Sequence, residues 1–153
     1  MGEDGAKRGQ HGFDNGKKTK GRKRHIAVDT LGLIWALAVH AAHISETRGA
    51  RLVLLRVCRA CPGLKKIFVD GGYFKGLIEW GKMMFGYVIE AVKRSDAAKG
   101  FQLLPKRWIV ERTFGWLNWE RRLSKDYEHN PKHAEAFIYV AMINIMAKKL
   151  AKS

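Results

Sequence analysis

The sequence predicts a single α/β domain in which a mixed sheet is flanked by helices. Short runs of strand-forming residues, such as 26–30, 33–42 and 65–69, alternate with longer segments whose apolar residues recur at helical spacing. Strands and helices that alternate along a chain usually form a sheet with helices packed on its faces. The 153 residues are enough for one domain with a buried core.

The predicted elements follow in the order hairpin, helix, strand, helix, strand, helix, helix. The hairpin turns at Leu31-Gly32, and Pro62-Gly63 ends the first helix. The last helix is apolar on almost every side, which predicts that it is buried or covered by a partner chain. The predicted bounds are 26–30 and 33–42 for the hairpin, 48–60, 65–69, 77–85 and 87–92 for the middle elements, and 107–123 and 134–150 for the last two helices.

The charge of the chain indicates a polyanionic partner. Lys and Arg number 29 against 14 Asp and Glu, which gives a net charge of +15. A basic protein gains affinity for nucleic acid because each neutralised phosphate releases counterions. No apolar run approaches the length of about 18 residues that a membrane span needs, and the polar, glycine-rich start of the chain is unlike a signal peptide. These features favour a cytoplasmic protein that binds nucleic acid and no membrane.

Residues 1–25 are polar, basic and rich in glycine, and they are predicted to form a flexible arm before a folded domain over 26–153. Within this arm, Lys17–Arg24 is a candidate phosphate-binding run, although composition alone supports a solvated tail equally well. Cys58 and Cys61 form a C-x-x-C pair. The sequence has no second cysteine pair to complete a zinc site, so we expect reduced structural thiols.

Two carboxylates stand out by their positions. Asp70 follows the strand 65–69 and precedes two glycines, so the strand fixes a carboxylate at the edge of the sheet. Glu111 lies beside the apolar stripe of the predicted helix 107–123, one turn after Arg107. Spacing alone favours an ordinary surface ion pair between Glu111 and Arg107. The neighbouring tryptophans and arginines suit phosphates and unstacked bases, and they favour carboxylates that hold a divalent cation against a phosphate.

Several segments resemble the catalytic half of bacterial insertion-sequence DDE transposases. They are Val69-Asp70-Gly71-Gly72-Tyr73, Lys93–Asp96, Arg107–Leu117 and Arg121–Tyr127, and Gly21–Gly32 resembles the segment that precedes that half. The likeness covers about residues 11–150. It implies a ribonuclease-H-like fold and cleavage and joining of DNA strands at transposon ends, with Mg²⁺ or Mn²⁺ as the cofactor.

The resemblance makes Asp70 and Glu111 the second and third members of the family's acidic triad, as catalytic and metal-binding residues. The first member belongs to the first strand of the family's fold. Met1–Ala6 contains no such strand, and Asp29 is not a replacement because the family carries an aspartate there in addition to the triad. We therefore expect a partial ribonuclease-H-like domain that lacks its first strand, exposes sheet edges and is inactive alone.

The resemblance implies double-stranded DNA as a partner, at transposon ends and target, together with a second copy or a full-length transposase, in the bacterial cytoplasm at the nucleoid. Two functions remain open. The chain is a DDE transposase portion, either truncated or normally completed by an upstream reading frame, or it is a non-catalytic DNA-binding remnant that modulates a full-length enzyme. The residues expected to contact DNA are Lys20, Arg22, Lys23, Arg24, Lys93, Arg94, Arg107, Arg112, Trp116, Arg121, Arg122 and Lys125.

Overall fold

The computed structural model describes residues 11–16, 18–70, 75–92 and 106–152. Strands and helices alternate along these residues, which confirms the predicted α/β class and, from the hairpin onwards, the predicted order of elements; the short first strand was not predicted. The elements are β1 (Gly12–Asp14), β2 (Thr19–Val28), β3 (Ile34–Ala41), α1 (Glu46–Ala60), β4 (Lys66–Asp70), α2 (Lys75–Phe85), β5 (Val88–Val92), α3 (Arg107–Asn118), a 3-10 turn (Arg121–Leu123) and α4 (Pro131–Leu150).

The strands form two sheets in the described part of the chain, whereas the sequence predicted one mixed sheet. β1, β2 and β3 pair antiparallel, and β4 and β5 pair parallel, with Asp70 opposite Val92. β3 pairs with β2 along Arg22–Val28, while β1 pairs only with residues 19–21. Along Arg22–Val28, β2 is therefore paired by a described strand on one edge only, and β4 is likewise paired only by β5.

β2 begins at Thr19, seven residues before its predicted start. The predicted flexible arm is therefore wrong for residues 12–14 and 19–25, which form sheet. The physical reason is that a strand sends successive side chains to opposite faces. Arg22 and Arg24 meet acceptors on one face of β2, and Lys23 meets carboxylates on the other. Residues 1–10 of the predicted arm lie outside the described residues.

The same alternation places helices on both faces of the β2–β3 pair. Leu37 and Val39 of β3 pack in a core with side chains of α3 and α4. Ala36 and Ala38 point the other way and pack against α1. The small alanines allow α1 to lie close to the strands. This sheet is thus the middle layer of three.

α1 joins the two sheets. Its Val53 and Val57 pack on β3, while Ala50 and Leu54 belong to a second core with α2, β4 and β5. Gly49 gives α1 its close approach to β2 and β3, since a Cβ there would lie 2.5 Å from His25 Nε2. The rings of His25 and His40 stack beneath this glycine, with centroids 4.8 Å apart.

An ion pair covers the outer edge of β3. Glu135 of α4 accepts a hydrogen bond from the Val39 amide at 2.9 Å, and Arg56 of α1 donates to the Leu37 carbonyl. Arg56 Nη1 and Glu135 Oε1 lie 2.9 Å apart. Side chains thereby satisfy the backbone groups that an unpaired edge would offer to another chain.

α4 is apolar around its whole circumference, as the sequence predicted, but only one side is buried. Ile138 packs in the core with Leu37 and Val39 of β3, and Met142 is also buried. Val140, Ile143 and Leu150 are exposed at 60%, 64% and 76%, so in the described part of the chain the other apolar side is open.

Tyr87, which precedes β5, links stability to alkaline pH. Burial, with the adjacent Cys58 and Cys61 thiols, raises the pKa of Tyr87 from 10 to about 12. A raised pKa means that the fold favours the protonated phenol, so this stabilisation is complete below pH 10 and is lost as the pH rises through 12. We expect the wild type to lose more free energy of unfolding than Tyr87→Phe between pH 10 and 12, measured by urea denaturation. Parallel pH profiles of the two proteins would contradict this assignment.

Candidate catalytic and nucleic-acid-binding sites

Asp70 ends β4, as the sequence predicted, and is exposed there. Side chains two residues apart on a strand share a face, so Lys66, Phe68 and Asp70 lie on one side of the β4–β5 sheet. The predicted glycine turn after Asp70 falls at 71–74, outside the described residues.

Glu111 is exposed on α3, and the N-cap residue of this helix contacts β4 through its side chain. The Lys106 ammonium, at the N-cap of α3, lies 3.5 Å from the centroid of the Phe68 ring. Asp70 is two residues beyond Phe68 on the same face, and Glu111 is just over one turn into α3. The structure therefore links the N-cap residue of α3 to the strand that ends at Asp70 through one side-chain contact. The Arg107 side chain lies outside the described part, so its predicted pairing with Glu111 stays a prediction.

Glu90 is a third carboxylate on this face, and sequence reasoning missed it. It stands opposite Phe68 in the parallel register of β4 and β5, and its Oε2 lies 2.5 Å from Lys66 Nζ. The hydrogen bond from Lys66 lowers the pKa of Glu90, and the charges of Lys66 and Lys106 lower it further. A lone acidic residue in an apolar strand is the signal that could have revealed it. The parallel register, which sets its neighbours, is not visible in sequence.

The carboxylates do not form a complete metal site. Among residues 11–16, 18–70, 75–92 and 106–152, no three His, Cys, Asp or Glu side chains come together as ligands for an ion. Phosphoryl transfer with two metal ions needs carboxylates from separate elements to hold ions about 3.5–4 Å apart. Asp70 and Glu111 alone are too few carboxylates to meet that requirement for Mg²⁺ or Mn²⁺.

Arg22 and Arg24, predicted to contact DNA, instead hold the segment after α3 against β2. Arg22 Nη1 lies 3.3 Å from Asp126 Oδ1, and Nη2 donates to the His129 carbonyl at 2.6 Å. The Arg22 side chain is only 1% exposed. Arg24 donates to the Leu123 carbonyl at 3.1 Å. Both guanidinium groups thus have partners within the fold, and their predicted contacts with DNA stay predictions.

Lys23 is engaged on the opposite face of β2. Its Nζ lies 3.0 Å from Asp14 and 3.5 Å from Glu46, and it donates to the Ile44 carbonyl. Burial alone would lower the pKa of Lys23, but the hydrogen bond to Asp14 and the charges of Glu46 and Asp14 raise it overall. Two carboxylates already surround this ammonium, so a phosphate would meet negative charge there.

Arg112 and Trp116 belong to a stack along α3. The Arg112 guanidinium lies 4.3 Å from the Trp108 ring centroid and 4.8 Å from that of Trp116. It also donates to the Leu31 carbonyl at 2.9 Å. The Lys149 ammonium of α4 lies 3.8 Å from the same Trp116 ring centroid. The stack therefore ties α3 to the β2–β3 turn and to α4.

Asp29 shapes that β2–β3 turn. Its Oδ1 accepts hydrogen bonds from the amides of Leu31 and Leu33 at 2.8 and 2.9 Å. Gly32 completes the turn with φ of +84°, and its carbonyl accepts from the Thr113 hydroxyl at 2.9 Å. Asp29 thus has a structural role in the β2–β3 turn.

The remaining predicted DNA contacts divide into three groups. Arg122 is paired with Glu128, whose Oε1 accepts from both Nε and Nη2 at 2.9 and 2.7 Å. Lys20, Arg121 and Lys125 are exposed, and no described residue forms an ion pair or hydrogen bond with their charged groups. Lys93 and Arg94 lie outside the described residues.

An open cleft of about 800 Å³, here called the Trp119 cleft, lies where α3 ends. Trp119 is 89% exposed and Tyr127 is 58% exposed. The cleft combines these aromatic rings with basic side chains. Its lining residues are Trp119, Glu120, Arg121, Arg122, Tyr127 and Lys148.

The model of one protein family, described as a transposase DDE domain, matches residues 2–146. The comparisons with curated proteins and with solved structures gave no significant match. In the described part of the chain, no helix is both long and apolar enough to cross a membrane. The family match covers nearly the whole chain and confirms the resemblance drawn from the motifs around Asp70 and Glu111. The chain belongs to the transposase DDE domain family.

Proposed function

We propose that this chain acts in DNA transposition, where it binds DNA and contributes Asp70 and Glu111 to a DDE catalytic centre. We further propose that the chain alone does not cleave DNA. The observations that support both statements are that Lys106, the N-cap residue of α3, contacts Phe68 of β4, and that the described residues complete no three-ligand group. Under this proposal the missing carboxylate of the triad is supplied by another polypeptide.

The strand pairing supports an incomplete ribonuclease-H-like sheet. β2 lacks a described partner on one edge along Arg22–Val28, and β4 lacks one on the edge away from β5. In the fold that the family resemblance implies, one further strand lies between these two edges and carries the first acidic residue. Such a strand would join the two sheets into the single mixed sheet expected from the sequence. Its carboxylate would end near Asp70 and could complete a site for Mg²⁺ or Mn²⁺.

A non-catalytic role in binding DNA is the second candidate. It is favoured by the net charge of +15 and by the exposed, unengaged cations at the end of α3. Under this function the chain would occupy double-stranded DNA, or pair with a full-length transposase, without chemistry of its own. Both functions need the same DNA-binding surface.

We expect duplex binding to weaken steeply with salt and to depend on Arg121 and Lys125. Replacing both by glutamine should reduce the slope of log K against log salt by about 2, because each phosphate contact contributes about 0.9. The matched control replaces Arg48 and Arg59, two exposed cations of α1 on the opposite side of the sheet, and should leave the slope near that of the wild type. Fluorescence anisotropy with a labelled duplex measures both. Equal slopes in the two double variants would contradict this DNA-binding surface.

A further inference from the structure

We propose that the Trp119 cleft binds an unstacked nucleotide of single-stranded DNA, with its base on the Trp119 ring and its phosphate near Arg121 and Lys148. This inference rests on the proposed function, because it assigns a form of DNA to one surface of the chain. It differs from duplex binding in that the base itself, and not only the backbone, would contact the protein.

The exposure of Trp119 is the first argument. Its side chain is 89% exposed, against 37% for Trp108 and 47% for Trp35. An indole is among the largest apolar surfaces a residue can offer, and tryptophan is usually well buried in folded proteins. Tyr127 adds a second exposed ring to the same cleft. Exposed aromatic rings beside a basic groove are how proteins stack the bases of single strands.

The charge around these rings is the second argument. Within the described residues, no ion pair or hydrogen bond engages the charged groups of Arg121 and Lys148. Arg122, in contrast, is fixed by Glu128 and lies 4.8 Å from the Phe137 ring centroid. The cleft therefore contains two unneutralised cations beside its aromatic rings, which suits a phosphate.

One carboxylate also lines the cleft and must be accommodated. Glu120 Oε1 accepts a hydrogen bond from Asn144 Nδ2 at 3.1 Å, which holds the carboxylate toward α4. Its remaining acceptor capacity suits the N–H groups on the edge of a base, not a phosphate. The cleft thus has an aromatic surface, two cations and one base-edge acceptor.

Size and position fit a nucleotide close to the proposed catalytic centre. The volume of about 800 Å³ lies within the range of about 300–1,000 Å³ typical of ligand sites. Trp119 follows Glu111 by eight residues, or about 12 Å along a helix that rises about 1.5 Å per residue. That span corresponds to about three to four stacked nucleotides at about 3.4 Å each. A strand with a phosphate near Glu111 could therefore reach the cleft, provided that its base leaves the duplex stack.

The test compares two single-stranded oligonucleotides of equal length and charge, one of thymidines and one of abasic residues. Binding of the full chain is followed by fluorescence anisotropy. We expect roughly a 5- to 150-fold preference for the thymidine strand, the range for stacking of one base. Trp119→Ala should reduce this preference to near one, while Trp119→Phe should retain part of it. Arg121→Gln should weaken binding of both strands equally and lower the salt slope by about 0.7.

Tyr139→Ala is the matched control. Tyr139 is 37% exposed on α4, and its nine-residue separation from Lys148 puts it on the opposite side of that helix. This variant should keep the full preference for bases. If Trp119→Ala does not fold, the wild type is tested with a single strand that carries 2-aminopurine. Stacking of this base on the Trp119 indole predicts that the fluorescence of 2-aminopurine is quenched, and unchanged fluorescence would contradict the inference.

Two outcomes would overturn the inference. The first is equal binding of thymidine and abasic strands by the wild type, and the second is a preference that persists in a folded Trp119→Ala protein. If either occurs while salt-dependent duplex binding remains, the inference fails and the proposed function stands. Absence of all binding to nucleic acid would contradict both.

Discussion

Replacing Arg22 by methionine is expected to lower the free energy of unfolding by about 3 kcal/mol, the lower end of the range for breaking a buried ion pair. Arg22 is 1% exposed and donates to Asp126 and to the His129 carbonyl. Methionine keeps much of the packing volume but leaves these acceptors without their cation. The lower end of the range applies because Asp126 is 23% exposed, so water partly screens its charge. Urea denaturation measures the change directly.

Lys20→Met is the matched control for this prediction. Lys20 lies two residues earlier on β2, is exposed, and has no described ion-pair partner. Surface substitutions of this kind usually change stability by no more than about 0.5 kcal/mol. The opposite result, in which Arg22→Met unfolds like the wild type but binds DNA weakly, would restore Arg22 as a phosphate contact and contradict its internal role.

The contrast between Arg22 and Asp70 shows what the sequence could predict. β4 was predicted because three apolar strand-forming residues run into a carboxylate, and that signal is contained in neighbouring residues. β2 was predicted to start too late because Thr19–Arg24 has no apolar alternation. The first half of β2 is held by contacts of Arg22 with Asp126 and His129, which are about a hundred residues away in the chain. Local periodicity does not report such pairings.

The candidate site shows the same division. Asp70 and Glu111 could be named from motifs, and their strand and helix were predicted from local pattern. The closeness of Glu90 depends on the parallel register of β4 and β5, which no local signal encodes. Likewise, a list of cations in the sequence does not reveal which are engaged. Lys23 and Arg112 are held by the fold, whereas Arg121 faces the Trp119 cleft.

We expect the chain alone to bind DNA without cutting it, which is the largest effect that follows from the proposed function. The reason is the number of ligands. Two metal ions held about 3.5–4 Å apart need more carboxylates than Asp70 and Glu111 provide. Within the described ranges, no third His, Cys, Asp or Glu completes a group with them. Strand cleavage should therefore stay at the level of a reaction without protein, in Mg²⁺ and in Mn²⁺ alike.

Binding must be measured in the same samples, so that absent cleavage is not mistaken for absent contact. Anisotropy with a labelled duplex shows whether the DNA is occupied under the conditions of the cleavage assay. Asp70→Asn and Glu111→Gln serve as matched variants, because each removes one negative charge while keeping the shape of the side chain. Both should bind DNA at least as tightly as the wild type, since the net charge becomes more positive.

Nicking of supercoiled plasmid by the chain in Mg²⁺, compared with Asp70→Asn, tests the central claim most directly. We predict that the wild type, while bound, converts no more plasmid to the nicked form than Asp70→Asn or buffer does. Mg²⁺-dependent nicking by the wild type that disappears in Asp70→Asn would contradict the account, because it would show a complete catalytic centre in this chain.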